Sequence, residues 1–178
     1  MFNVGSLLLA PPSIDNWWEK SVILLLEDNE FGNTGVLLNK QSELSLAQLG
    51  DKLGIDIDIP GFVYIGGPVG VTSLGMIHSN DWRCSNTVPI NDHVSISSSS
   101  EILKRLSYYD VPEYWRIFIG YCAWGDDKLA TEISNGKWHV ADSFMDLIFD
   151  YDANEQWDMA VNQAAVTFSK SILAKYNI

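Results

Sequence analysis

His78 closes the apolar run LGMIHS and Cys122 closes IFIGYC, so two strand ends could bring an imidazole against a thiol. In such a pair the imidazole takes the thiol proton and leaves a thiolate nucleophile. Glu132, in the segment that follows Cys122, offers His78 a second partner of the hydrolytic kind. Against both stands a plainer reading, since a cysteine in apolar surroundings is usually a small core side chain whose thiol stays protonated. No GxSxG elbow presents a serine instead. The expectation is therefore a binding or regulatory module without enzymatic activity. A hydrolase or thiol-dependent enzyme using His78 with Cys122 or Glu132 is the alternative.

Metal and phosphate chemistry find less support. The histidines His78, His93 and His139 show no HxH or HExxH spacing, and Cys84 and Cys122 are too far apart in sequence for a short zinc or disulfide pattern. In DYDANEQWD, acidic and amide side chains from Asp150 to Asp158 mimic part of a calcium loop. Glu155, however, stands where the turn needs glycine, and Val161 where a bidentate carboxylate should close the shell. GGPVG, Gly66 to Gly70, could offer backbone N–H groups to an anion, but it lacks the Lys-Ser/Thr of a phosphate loop and the GxGxxG that opens a dinucleotide-binding helix. No metal and no cofactor is expected.

Charge narrows the partners. Eleven Lys and Arg against 23 Asp and Glu leave a formal charge of -12 over 178 residues. Phosphate backbones and anionic membrane surfaces are repelled at that charge, which points to a protein or small-molecule partner rather than nucleic acid. The start MFNVGSLLLA carries no positive flank and is cut off by Pro11-Pro12, unlike a secretory signal. The longest unbroken apolar stretch, Val22 to Leu26, is too short to span a bilayer. A soluble cytoplasmic protein is expected, its oligomeric state left open.

The elements that must position these groups are short. Ser6–Ala10, Ser21–Glu27 and Gly35–Asn39 read as strands, the last two joined by the turn residues of DNEFGNT. Leu46–Leu53 has helical spacing and stops at Gly54. Phe62–Ile65 and Leu74–His78 read as strands flanking GGPVGVTS. His93–Ser97 runs into a serine tract in which Ser98 and Glu101 form a capping box for a helix over 101–108. Trp115–Cys122 is a strand covered on both faces, followed by a helix from Asp126 to Ser134 and a short strand Trp138–Ala141. Asp142 is placed to cap a turn of helix through Phe149. The closing helix, from Asn154 to Lys175, carries Trp157, Val161, Ala164, Phe168 and Ile172 on one stripe expected to be buried. Without a linker or repeat, residues 1–178 form one α+β domain with a mixed sheet.

The motifs GSLLLAPP, SVILLLE, GVLLNK, GGPV, MIHS and GYCAWGDDKLATEI, in this order and spacing from Gly5 to Trp157, resemble the AlgH-like (YqgE-like) family of bacterial proteins of unknown function, sometimes labelled transcriptional regulators. The resemblance implies a strongly bent sheet closing toward a barrel with helices packed outside. It implies no established reaction, and it leaves transcriptional regulation as a third, weaker reading. Cys122-Ala123 departs from the family's usual Ala-Gly, and Asp126 to Lys128 from its small residue, Gly and Gln, so Cys122 is not a shared nucleophile. The segment from Gly120 to Ile133 then reads as a corner: Gly120 packs closely, Gly125 permits the exit, Asp126 caps the helix, and Leu129 with Ile133 faces the core. A ligand site belongs at this corner, with Asn39, Gly66, Gly67, His78, Trp124 and Glu132 as its candidate residues.

Overall fold

The computed structural model describes residues 2–12 and 16–176. The chain runs β1 (Leu7–Leu9), β2 (Val22–Asn29), β3 (Gly32–Leu37), β4 (Gln41–Ser45), α1 (Leu46–Leu53), β5 (Phe62–Ile65), β6 (Val69–Ser79), β7 (Thr87–Pro89), β8 (Val94–Ser97), α2 (Glu101–Leu106), β9 (Trp115–Trp124), α3 (Lys128–Ser134), β10 (His139–Ala141), α4 (Met145–Phe149) and α5 (Gln156–Tyr176). All strands join one sheet in the order β10-β1-β2-β3-β9-β6-β8-β7, with β4 and β5 branching from β9. Every pairing is antiparallel except β5 with β9, so the sheet is mixed, as expected. It curls into a half-barrel flanked by helices.

The curl follows from a fork. One edge of β9 pairs with β6 along most of its length. Its other edge is shared, taking β5 in parallel at Phe118 and Ile119 and β3 antiparallel from Cys122 to Trp124. Gly66 lies where the two meet: its N–H donates to the Ile119 carbonyl and its own carbonyl accepts from Leu37 N–H, both at 2.8 Å. A Cβ on Gly66 would sit 2.2 Å from the Gly120 carbonyl oxygen, and one on Gly120, at φ +77°, would sit 2.4 Å from that of Gly67. The GGP glycines thus let three strands cross at backbone contact. GGPVGVTS is accordingly not a loop, because β6 already begins at Val69 and shifts register between Val69 and Leu74.

Alternation along β1, β2 and β3 feeds two cores at once. Leu7, Leu9, Val22, Leu24 and Val36 face one cluster closed by α4 and the start of α5. Leu8, Ile23, Leu25 and Leu37 face another that Trp124, Leu129 and Trp138 complete under α3. A third lies beneath α1 and α2. Burial on both faces explains the unbroken apolar stretches Leu7–Leu9 and Val22–Leu26.

Local signals landed a residue or two away in places. The first N–H of α2 is held by Ser99 Oγ rather than by Ser98, and α3 starts after Asp127, which adopts a left-handed conformation without a side-chain cap, rather than after a capping Asp126. Phe144, not Asp142, precedes α4 and likewise makes no cap bond. A true capping box joins Ser45 and Gln48 at α1. The expected stripe of α5 is buried only at its start: Trp157 and Ala160 are in the core, whereas Phe168 is 66% exposed and Ile172 39%. The helix has run past the body it packs on.

Candidate functional site

His78 lies in β6 opposite Ser95 and Trp115 and has no exposed surface. Its Nδ1 is 2.8 Å from the Ser79 carbonyl oxygen, which can only accept, so the proton resides on Nδ1. Nε2, 2.8 Å from Ser97 Oγ, then accepts from that hydroxyl. The ring meets Trp82 edge to face. Burial holds its pKa below the usual histidine value, and nearby Arg105 adds to this, while the Ser79 bond and Asp81 oppose it. The histidine is neutral, with both nitrogens engaged. Seven residue steps of β9 separate Trp115, its neighbour across the strand, from Cys122, which at a rise of ~3.3 Å per residue is about 23 Å. The imidazole meets neither Cys122 nor Glu132.

Asn39 is equally occupied. Its Oδ1 accepts from Val22 N–H at 2.9 Å and its Nδ2 donates to the Lys20 carbonyl at 2.7 Å, tying the end of β3 to the start of β2. Gly66 and Gly67 build the fork. Cys122 is buried beside them, its S–H donating to the Gly66 carbonyl at 3.4 Å. Desolvation pushes its thiol up to about 12, so it is not a thiolate at neutral pH.

Trp124 and Glu132 do come together. Trp124 Nε1 donates to Glu132 Oε2 at 3.0 Å, and Trp138 Nε1 donates to the same oxygen at 2.9 Å. Lys137 Nζ approaches the other oxygen at 3.9 Å. Trp138 stands edge to face with both Trp124 and Trp18, and Trp18 in turn with Trp17. Trp18, Trp124, Glu132, Lys137 and Trp138 surround a cleft of about 610 Å³ on the α3 side of the sheet, to which Pro68, Cys122 and Lys128 also contribute. Asn16, beside Trp18, completes the rim.

Of the residues singled out in the sequence, Trp124, Glu132 and Cys122 line this cleft, whereas Asn39, Gly66, Gly67 and His78 do not. Trp18, Lys128, Lys137 and Trp138 also line it and are absent from the candidate set. The seven tryptophans of the chain were the available signal. Gly125 has no positive φ and open space around its Cα, so the strained turn falls at Asp127 instead. Among the described residues no group of three or more His, Cys, Asp or Glu is placed to hold a metal.

The curled half-barrel with flanking helices is a fold this chain shares with known proteins. A family model described as AlgH-like matches residues 7–169, and the chain belongs to that family, whose function is not established. It is 33% identical over 166 residues to a UPF0301 protein of Sphingopyxis alaskensis, covering 91% of this chain and 89% of that one. It is 30% identical over 168 residues to a UPF0301 protein of Marinomonas sp., covering 92% and 89%. Among solved structures, the AlgH protein of Pseudomonas aeruginosa superposes with a TM-score of 0.77 at 26% identity, over 89% of this chain and 87% of that one. A protein from Corynebacterium diphtheriae, at 24% identity and a TM-score of 0.70 over 88% and 84% of the two chains, shares the fold.

Proposed function

We propose that this chain is a binding module without enzymatic activity, and that its ligand site is the cleft between Trp18, Trp124, Glu132 and Trp138. The observation that carries the reading is the Glu132 carboxylate, whose Oε2 accepts two indole N–H bonds. A carboxylate held this way is a fastener. It locks two large rings into one wall, and such preorganisation lowers the entropic cost of binding. The volume, about 610 Å³, lies in the range of small-molecule sites. The enzyme alternative lacks support: the Cys122 thiol is protonated and bonded to Gly66, and His78 is enclosed elsewhere.

Titration of the full chain with a panel of small aromatic and aliphatic metabolites, followed by NMR of the indole N–H resonances, tests this. At least one compound should shift the Trp124 and Trp138 signals saturably, and Trp18→Ala, at the rim, should abolish the shift while leaving the circular dichroism unchanged. A panel that leaves both resonances in place, or a saturable response that survives Trp18→Ala, counts against the cleft.

A further inference from the structure

The charges around the cleft say what kind of molecule it would hold, an inference that rests on the binding reading above. Three ionisable side chains other than the cysteine line it: Glu132, Lys128 and Lys137. Glu132 Oε2 accepts from two indoles, and Oε1 faces the Lys137 ammonium. Lys137 reaches that oxygen only at 3.9 Å with its side chain 60% exposed, so its ammonium keeps free donors. The Lys128 ammonium has no hydrogen bond or ion pair among the described residues. The cleft therefore keeps unpartnered ammonium donors and an excess of positive charge. Two ammonium groups against one carboxylate give a local charge of +1, in a chain whose total is -12. Asp126 and Asp127 precede Lys128 but are exposed and do not line the cleft.

The walls supply the second requirement. Trp138 meets Trp18 and Trp124 each at near right angles, and Pro68 adds an apolar face. Perpendicular rings present edges and faces that suit the offset or edge-to-face seating of another ring. We infer that the cleft binds a small anion carrying a flat apolar ring, of the aryl carboxylate class. Its ring would lie against the tryptophans and its carboxylate would take charge-assisted hydrogen bonds from Lys128 and Lys137.

A matched pair of compounds separates the terms. Indole-3-acetate and tryptamine share a ring and differ in the sign of their charge, and acetate carries the anion alone. Isothermal titration of the full chain should show indole-3-acetate binding at least ten-fold more tightly than tryptamine and than acetate. Lys128→Glu, an exposed substitution at the start of α3, should remove that preference while leaving the thermal melt unchanged. Lys128→Gln should weaken it by a smaller factor. Tryptamine binding as tightly as indole-3-acetate would overturn the charge assignment, and acetate binding as tightly would overturn the requirement for a ring. If neither indole binds while some other compound shifts the Trp124 and Trp138 resonances, the ligand class falls and the cleft stands. If nothing in the wider panel shifts them, both fall.

Discussion

Trp124 shows how one side chain can fill a core and fasten a wall. Only 6% of it is exposed, and it packs with Leu129 and Trp138. Trp124→Ala should cost about 3 to 5 kcal/mol through the cavity left behind. Trp124→Phe keeps much of the volume but removes one indole donor from Glu132, at about 1 to 2 kcal/mol. Urea midpoints measure both, and an unchanged midpoint for the alanine variant would refute the corner as a packed element. Cys122 makes the opposite point, for its pKa of about 12 leaves roughly one thiolate in ten thousand at pH 8. Iodoacetamide at that pH should leave Cys122 unmodified in the native protein and label it once urea unfolds the chain, as peptide mapping would show. Rapid native labelling would return the thiol to consideration. His78 carries a pH signature whose sign follows from its burial. Its folded pKa lies below the unfolded value, about 6.5, so the unfolded chain binds the proton first as acid is added. The stability contributed by neutral His78 is complete above about pH 6.5 and is lost as the pH falls from there toward the folded pKa. Asp81, held down chiefly by the Ser79 hydroxyl, adds its own loss only below the ordinary carboxylate range. Urea midpoints that stay flat between pH 7 and 5 would contradict the histidine term.

At the scale of elements, the attachment of α4 and α5 to the sheet depends on two polar residues in an apolar setting. Arg116 is the single charge in β9, 8% exposed, with its guanidinium 4.3 Å from the Tyr64 ring centre. Its Nη1 donates to the Leu38 carbonyl at 2.7 Å and to Gln156 Oε1 at 3.1 Å. Gln156 Nε2 in turn donates to the carbonyls of Leu147 and Ile148, which the end of α4 leaves without helical partners. Arg116→Met would strand two buried acceptors at ~1 to 3 kcal/mol each. Relief from burying a cation offsets part of this, for a net loss of about 2 kcal/mol. The double variant Arg116→Met/Gln156→Leu should cost about 1 kcal/mol less than the sum of the single changes, as residues in one network do. Strict additivity in denaturant melts would show that they are not one clasp. None of this was legible in the sequence, where Arg116 is one polar letter in WRIFIG and its partner lies 40 residues away. Strands and helices whose signal is local were legible: β2, β3, β9, α1 and α5 fall within a few residues of where periodicity and turn chemistry put them. The α5 stripe failed for a physical reason, since periodicity reports which face is apolar and not how far the body beneath extends.

On the scale of the whole molecule, the fork and the cleft are products of long-range assembly. The bent sheet was expected from the family resemblance, whereas the crossing of Gly66, Gly67 and Gly120 that produces it joins segments more than 50 residues apart. Likewise Trp18 and Trp138, some 120 residues apart in sequence, become neighbours only once β10 pairs with β1. Charge, by contrast, is a global property that composition already states, and the fold sharpens what it implies for nucleic acid. Duplex affinity depends chiefly on Lys and Arg neutralising phosphates and releasing counterions. Of the eleven basic residues, Arg116 is buried, Lys20 pairs with Asp158, and Lys137 leans on Glu132. On α2, Arg105 bonds Asp110 and the Arg83 carbonyl and lies over the Trp82 ring, which leaves Lys104 as the free cation of a six-residue helix. A recognition helix needs several basic or amide side chains reaching base edges from one face. The described helices offer no such face, α5 bringing Asp158 and Gln163 before Lys170. No duplex binding tighter than about 10 μM is therefore expected at roughly 0.15 M salt, inside the non-specific range. Fluorescence anisotropy with random-sequence duplex at low and physiological salt measures this, and genomic fragments extend it to specific sites. A saturable submicromolar transition on either would mean that local placement of the remaining lysines outweighs a net charge of -12, and would make transcriptional regulation the leading account of the protein.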